Sequence, residues 1–205
     1  MKIANASMNY PHFKKLSLRT GKRFGRLMVR FGLMVLLLAS NSGFGDEPSL
    51  TRYQVEAIFL FNFAKYVDWP AAAFPNVTAP ITIGVVGTDP FGDNLRNIIQ
   101  GKTINGRPFV IKHLASDSDL GGCQILFISD SEATRMGEVL DRAGALPILT
   151  VGEDEEFAQN NGIINFVLKD GKVRLEIDLT EAKKNKLTIS SRLLAVADVV
   201  TGGIN

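Results

Sequence analysis

Cysteine is almost missing from this chain: Cys123 is the only one in 205 residues. No intramolecular disulfide can form. With histidine confined to His12 and His113, there is no cluster of the kind a zinc site needs. Phosphate-cradling loops are missing as well. GVVGTDPFG, starting at Gly84, is not Gly-x-Gly-x-x-Gly, and no Gly-x-x-x-x-Gly-Lys-Ser/Thr occurs. No Gly-x-Ser-x-Gly marks a nucleophile elbow. No apolar run reaches the roughly 20 residues of a membrane-spanning helix. These gaps argue against a metal site, a cofactor and a hydrolytic triad, and the expectation is a protein that is not an enzyme. Acids are missing from the first 45 positions, where eight Lys and Arg side chains stand. Beyond Gly45 the balance reverses, with 15 basic against 21 acidic residues, a net of −6. A domain of that charge is a poor fit to nucleic acid, whose binding leans on phosphate neutralisation.

What the N-terminal segment does have is a leader pattern. FGLMVLLLA, Phe31 to Ala39, follows Arg26 and Arg30 and precedes small residues that include Gly43 and Gly45. A basic region, a short apolar core and small residues predict a secretory signal peptide over 1–45, with Asp46 as the mature N-terminus. The basic region is long, and initiation at Met28 would give a more compact leader. Residues 46–205 then form the exported domain.

The densest aromatic stretch is YQVEAIFLFNFAKYVDWP, Tyr53 to Pro70. It has no glycine and no internal proline, and Trp69-Pro70 supplies a stop. At about 100° per residue, Val55, Ala57, Phe59, Leu60, Phe63, Ala64, Tyr66 and Val67 fall on one arc. Gln54, Asn62, Lys65 and Asp68 fall on the other. Three residues break the pattern: Glu56 projects into the apolar arc, and Ile58 and Phe61 project into the polar one. A core helix with scattered surface residues explains most of this. The sharper expectation is that Ile58, Phe61 and Lys65 form a partner-binding face. On this reading Phe61→Ala changes stability by only about 0.5 kcal/mol.

Apolar runs at Ile81–Gly87, Phe109–Leu114, Cys123–Ser129 and Pro147–Val151 read as strands. Helices are expected at Phe91–Gln100, with Asp89-Pro90 as cap and first turn, at Glu132–Ala143, and at the acidic segment Glu153–Asn160. Asn105-Gly106 is a turn. Gly162–Leu168 and Lys172–Leu179 flank Lys169-Asp170-Gly171, a hairpin signal. Thr180–Lys186 looks helical, and Ser190 or Ser191 can cap a last helix through Val200, ended by Gly202-Gly203. Strands that alternate with helices predict one α/β domain: a largely parallel sheet flanked by helices, with an antiparallel C-terminal hairpin at the edge.

In such a sheet, ligands bind beyond the carboxyl ends of the strands. Thr88, Ser129 and Gly152 mark three such ends, each beside an acid. They define a candidate small-molecule edge, although acids there also serve as helix caps. His113 ends a strand and has no evident nucleophile to serve. Cys123 opens an apolar strand and is expected to be buried.

YQVEAIFLFNFAKYVDWP, IGVVGTDPFGDNL, CQILFIS, LTVGEDEEFAQNNGIINFVLKDGKVRLEIDL and LTISSRLLAVADVV, in this order, together resemble the YfiR family of periplasmic regulatory proteins. The resemblance covers essentially all of the mature chain. It implies an exported, non-catalytic repressor that binds the periplasmic sensor domain of an inner-membrane diguanylate cyclase, so that relief of repression raises cyclic di-GMP and promotes biofilm formation. The expected partner is therefore that periplasmic domain, with a second copy of the chain as a further candidate. Some family members carry disulfides, and Cys123 stands where they carry a cysteine. The partner position aligns with Gly84 here, so the resemblance does not bring a disulfide-based redox input to this chain. A small-molecule sensor using Thr88, Ser129 and Gly152 is the alternative reading.

Overall fold

Thr51 starts the first helix of the computed structural model, which describes residues 50–201. Its hydroxyl accepts from the Gln54 backbone, and the Gln54 side chain accepts from the Thr51 backbone, a reciprocal capping box. Helix α1 runs Arg52–Tyr66 and buries Ala57, Leu60, Phe63 and Ala64. It stops short of Trp69-Pro70. Val67–Asp68 is instead a two-residue strand, β1, antiparallel to β9, Thr188–Ile189. A remote pairing, which local periodicity cannot register, takes the last turn of the expected helix.

The main sheet takes β2 (Ile81–Val86), β3 (Thr103–Ile104), β4 (Arg107–Leu114), β5 (Ile125–Ile128), β6 (Leu149–Gly152), β7 (Ile164–Lys169), β8 (Lys172–Asp178) and β10 (Asp198–Val200). Their spatial order is β10-β8-β7-β6-β5-β2-β4-β3. Neighbours from β4 through β2, β5 and β6 to β7 are parallel. The β7–β8 hairpin and the β3–β4 hairpin are antiparallel. Each hairpin turns on two residues of positive φ, Asp170-Gly171 and Asn105-Gly106, as the type I′ turn requires. The expected α/β architecture is present, with β10 adding one more strand outside the C-terminal hairpin.

Alternate residues of the central strands face two separate cores. Ile83, Val85, Ile125, Phe127, Leu149, Val151 and Phe166 pack with α1 and with α2, Asp93–Ile99. On the opposite face Val86, Leu126 and Ile128 pack with α3, Met136–Ala143, and with Phe157 and Cys123. Two shorter helices, α4 (Leu179–Lys184) and α5 (Ser191–Leu194), complete the set. Gln124 ties a loop to this framework: its side chain accepts from the Thr82 backbone and donates to the Ala73 carbonyl.

Four further expected elements differ from what is observed. Asp89 does not cap α2; it accepts from the Phe91 backbone in a turn, and the helix begins after Gly92 at a positive φ. The segment 130–135 is a 3₁₀ helix leading into α3, where one continuous helix was expected. Residues 153–160 form turns and no helix. Asp154 accepts from the Glu156 backbone, and the Phe157 ring lies against both Gly152 and Gly162, where a Cβ would collide with it. The last segment is helical only over α5, after which Asp198–Val200 extends parallel to β8. The signal-peptide and Gly202-Gly203 expectations lie outside the described residues.

Candidate functional site

The outward side of α1 carries Ile58, which is 36% exposed, with Lys65 exposed one face-repeat further on. Phe61 lies between them but is half-buried. Its ring sits 5.4 Å from that of Phe109 on β4, and Lys102 Nζ stands 4.8 Å above it. The helical wheel placed Phe61 toward solvent. The β4 edge of the sheet, brought under α1 by the parallel pairing with β2, supplies the missing neighbour. Lys65 similarly lies over its neighbour Tyr66, Nζ 5.4 Å from the ring centre.

Phe109 and Lys102 also line a groove of about 660 Å³ between the C-terminal end of α2 and β4. Its basic lining residues are Arg96, Lys102 and His113. His113 Nε2 lies 2.7 Å from Asp89 Oδ2, and Arg96 pairs with Asp93 at 3.2 Å. Thus Ile58, Phe61 and Lys65 are not isolated surface positions. Through Phe61 they adjoin a groove that sequence reasoning missed. Its basic residues come from α2, the following loop and β4, which no single segment reveals.

The inward side of α1 holds a second feature. Glu56 is 0% exposed and accepts from Arg52 Nε at 2.6 Å. The same guanidinium reaches Glu153 Oε2, also at 2.6 Å. Glu56 Oε2 is buried with no hydrogen-bond partner among the described residues. Burial pushes the Glu56 carboxyl up to about 7, against a partial offset from Arg52, and the charge of Glu153 adds to the rise. Burial also raises Glu153, while Arg52 and a hydrogen bond from the Asp130 backbone oppose it. One half-exposed guanidinium thus serves two buried carboxyls, which favours one of them holding a proton. The apolar-arc position of Glu56 was visible in the sequence, and Arg52 stands at the helical i, i+4 spacing. Glu153 is 101 residues from Arg52 and could not be assigned from spacing.

Thr88, Ser129 and Gly152 do come together, because β2, β5 and β6 are neighbours in register at their carboxyl ends. The edge is largely occupied by its own loops. The Ser129 hydroxyl accepts from the Ser131 backbone, Ser131 Oγ accepts from the Thr88 backbone, and the Phe157 ring covers Gly152. Cys123 is buried and free, and burial raises its thiol pKa. A Cβ on Gly84 would lie 3.1 Å from Cys123 Sγ, so the two positions face each other as the alignment implied. Among the described residues no group of three His, Cys, Asp or Glu side chains is placed to hold a metal ion. No helix among them is long and apolar enough to cross a membrane.

A family model described as YfiR/HmsC-like matches residues 53–198, which takes in nearly all of the described chain. No curated protein matches. A solved structure titled as a conserved domain protein from Vibrio cholerae O1 biovar El Tor is similar at 15% identity and a TM-score of 0.49. That match covers 76% of this chain and 61% of the other, so the chain spans less than two thirds of that protein's length.

Proposed function

Because the chain belongs to the YfiR/HmsC-like family, we propose that it is a periplasmic, non-catalytic regulator that represses a membrane-bound diguanylate cyclase by binding its periplasmic domain. The family match over 53–198 is the observation that carries this reading. The site geometry agrees with it. Ile58 and Lys65 offer an apolar and a charged contact on one rigid helix, beside a groove large enough for a partner's side chains. Such a face suits protein recognition, where a few well-placed anchors dominate affinity. Residues 1–45 would act as a signal peptide that is cleaved before Asp46. The small-molecule reading at Thr88, Ser129 and Gly152 has less support, since the loops of that edge already use its hydroxyl and cover its glycine.

The test is binding of the purified protein to the periplasmic domain of a diguanylate cyclase from the same cell, measured by calorimetry. Ile58→Asp and Lys65→Glu should each weaken the complex while leaving the melting temperature within the small range usual for surface changes. Full affinity in both variants would move the interface off α1.

A further inference from the structure

Strand β4 leaves much of one backbone edge unused. The short strand β3 pairs only with Arg107 and Pro108. From Phe109 to Leu114, β4 pairs with β2 on one side. Among the described residues no strand pairs with it on the other. An open run of this length presents alternating N–H and C=O groups, and sheet edges of this kind are extended by a partner's strand. The groove of about 660 Å³ runs beside this edge, lined by Pro108, Phe109, Val110, Ile111 and His113 of β4 and walled by the end of α2. Val110 is 39% exposed on the strand itself.

The charge around the groove opposes that of the domain. Across the described residues 15 basic side chains stand against 19 acidic ones, a net of −4. Yet the groove lining holds Arg96, Lys102 and His113 and no acid. Asp93 and Asp89 offset Arg96 and His113 from outside the lining. Lys102 is held over the Phe61 ring, and among the described residues no acid pairs with it. The basic lining also disfavours two copies meeting edge to edge, since that would bring like charges together.

We propose that the open edge of β4 docks an extended acidic segment of the regulated partner by strand addition, with main-chain hydrogen bonds to Phe109–Leu114 and carboxylates reaching Arg96 and Lys102. This deepens the partner-binding role proposed above and rests on it. The α1 face and the groove, joined at Phe61, then form one continuous surface.

The experiment uses the full chain and two end-blocked octapeptides, one alternating valine with glutamate and one alternating valine with lysine. Fluorescence anisotropy at low salt reads affinity, and hydrogen exchange reads protection of 109–114. The glutamate peptide should bind about tenfold more tightly than the lysine peptide, as two exposed charge pairs allow, and should slow exchange across 109–114. Arg96→Glu combined with Lys102→Glu, both at exposed positions, should reverse the preference while retaining the melting temperature. Failure of the glutamate peptide to protect 109–114 would overturn the inference and leave Lys112 and His113 as guards of a blocked edge. A preference unchanged in the double variant would overturn it as well. So would concentration-dependent protection without peptide, which would give the edge to a second copy. The peptides report on the edge alone, so this failure is distinguishable from failure of the cyclase reading, which is tested by binding to the cyclase's own periplasmic domain and by cyclic di-GMP levels in cells.

Discussion

Replacing Glu56 by glutamine should make the protein more stable at alkaline pH and leave it unchanged in acid. The carboxyl is buried, one oxygen has no partner, and burial raises it from the ordinary 4.5 to about 7. Between those values the folded protein keeps its proton and the unfolded chain has lost it. Stability is therefore fully present below about pH 4.5 and falls as pH rises through 7. The slope is about 1.4 kcal/mol per pH unit for one proton, or about 3 kcal/mol over the whole interval. Glutamine reproduces the protonated group: its oxygen can still accept from Arg52 Nε, and it carries no charge to bury. Urea unfolding of both proteins at pH 5, 7 and 8.5 reads the effect, because titrating groups outside the Glu56–Arg52–Glu153 cluster cancel in the difference. The variant should match the wild type near pH 4.5 and exceed it by about 2–3 kcal/mol at pH 8.5. A variant that is less stable by the same amount at every pH would refute the reasoning. It would mean that Glu56 is ionised throughout and that its bond to Arg52 outweighs its burial.

Phe63→Ala should cost about 3–5 kcal/mol, since Phe63 is fully buried and stacks with Phe59 and Phe166. Phe61→Ala should cost about 1–2 kcal/mol, more than its helical-wheel position implies, because it loses the Phe109 ring contact; denaturant midpoints separate the two. Cys123 should resist a bulky maleimide until the protein unfolds. Gly84→Cys should form a disulfide with it, closing a loop of about 40 residues worth up to about 4 kcal/mol. Leu126 and Leu114 crowd the Gly84 position, so a free-thiol count must accompany the melting curve, and two free thiols would show that they block closure. N-terminal sequencing of the exported protein should begin at Asp46, and a product that retains Phe31–Ala39 would contradict cleavage there.

Strands buried on both faces were legible because their apolar runs need no partner to be recognised. Ile81–Val86 and Ile125–Ile128 are such cases. Both hairpin turns were legible from Asn105-Gly106 and Asp170-Gly171, where local chemistry dictates the backbone. The capping box of Thr51 and Gln54, which sets the start of α1, was not read from the sequence. Val67–Asp68 and Asp198–Val200 were not legible, because each is extended only by pairing with a segment far along the chain. Residues 153–160 misled for a different reason. Their acidic, Gly-free pattern suits a helix, but Asp154 caps a turn and Phe157 is drawn into the core beside two glycines. At the candidate site, the exposure of Ile58 and Lys65 followed from helical spacing. The groove beside them did not, because its walls come from three segments that only the sheet order brings together.

The most direct test of the regulatory account is the cyclic di-GMP level in cells that lack the protein, and in the same cells complemented with wild type or with Ile58→Asp. Removal should raise cyclic di-GMP, and wild type should restore it. Ile58→Asp, exported and folded to normal levels, should fail to restore it. A cyclic di-GMP level that does not change on removal of the protein would contradict the account.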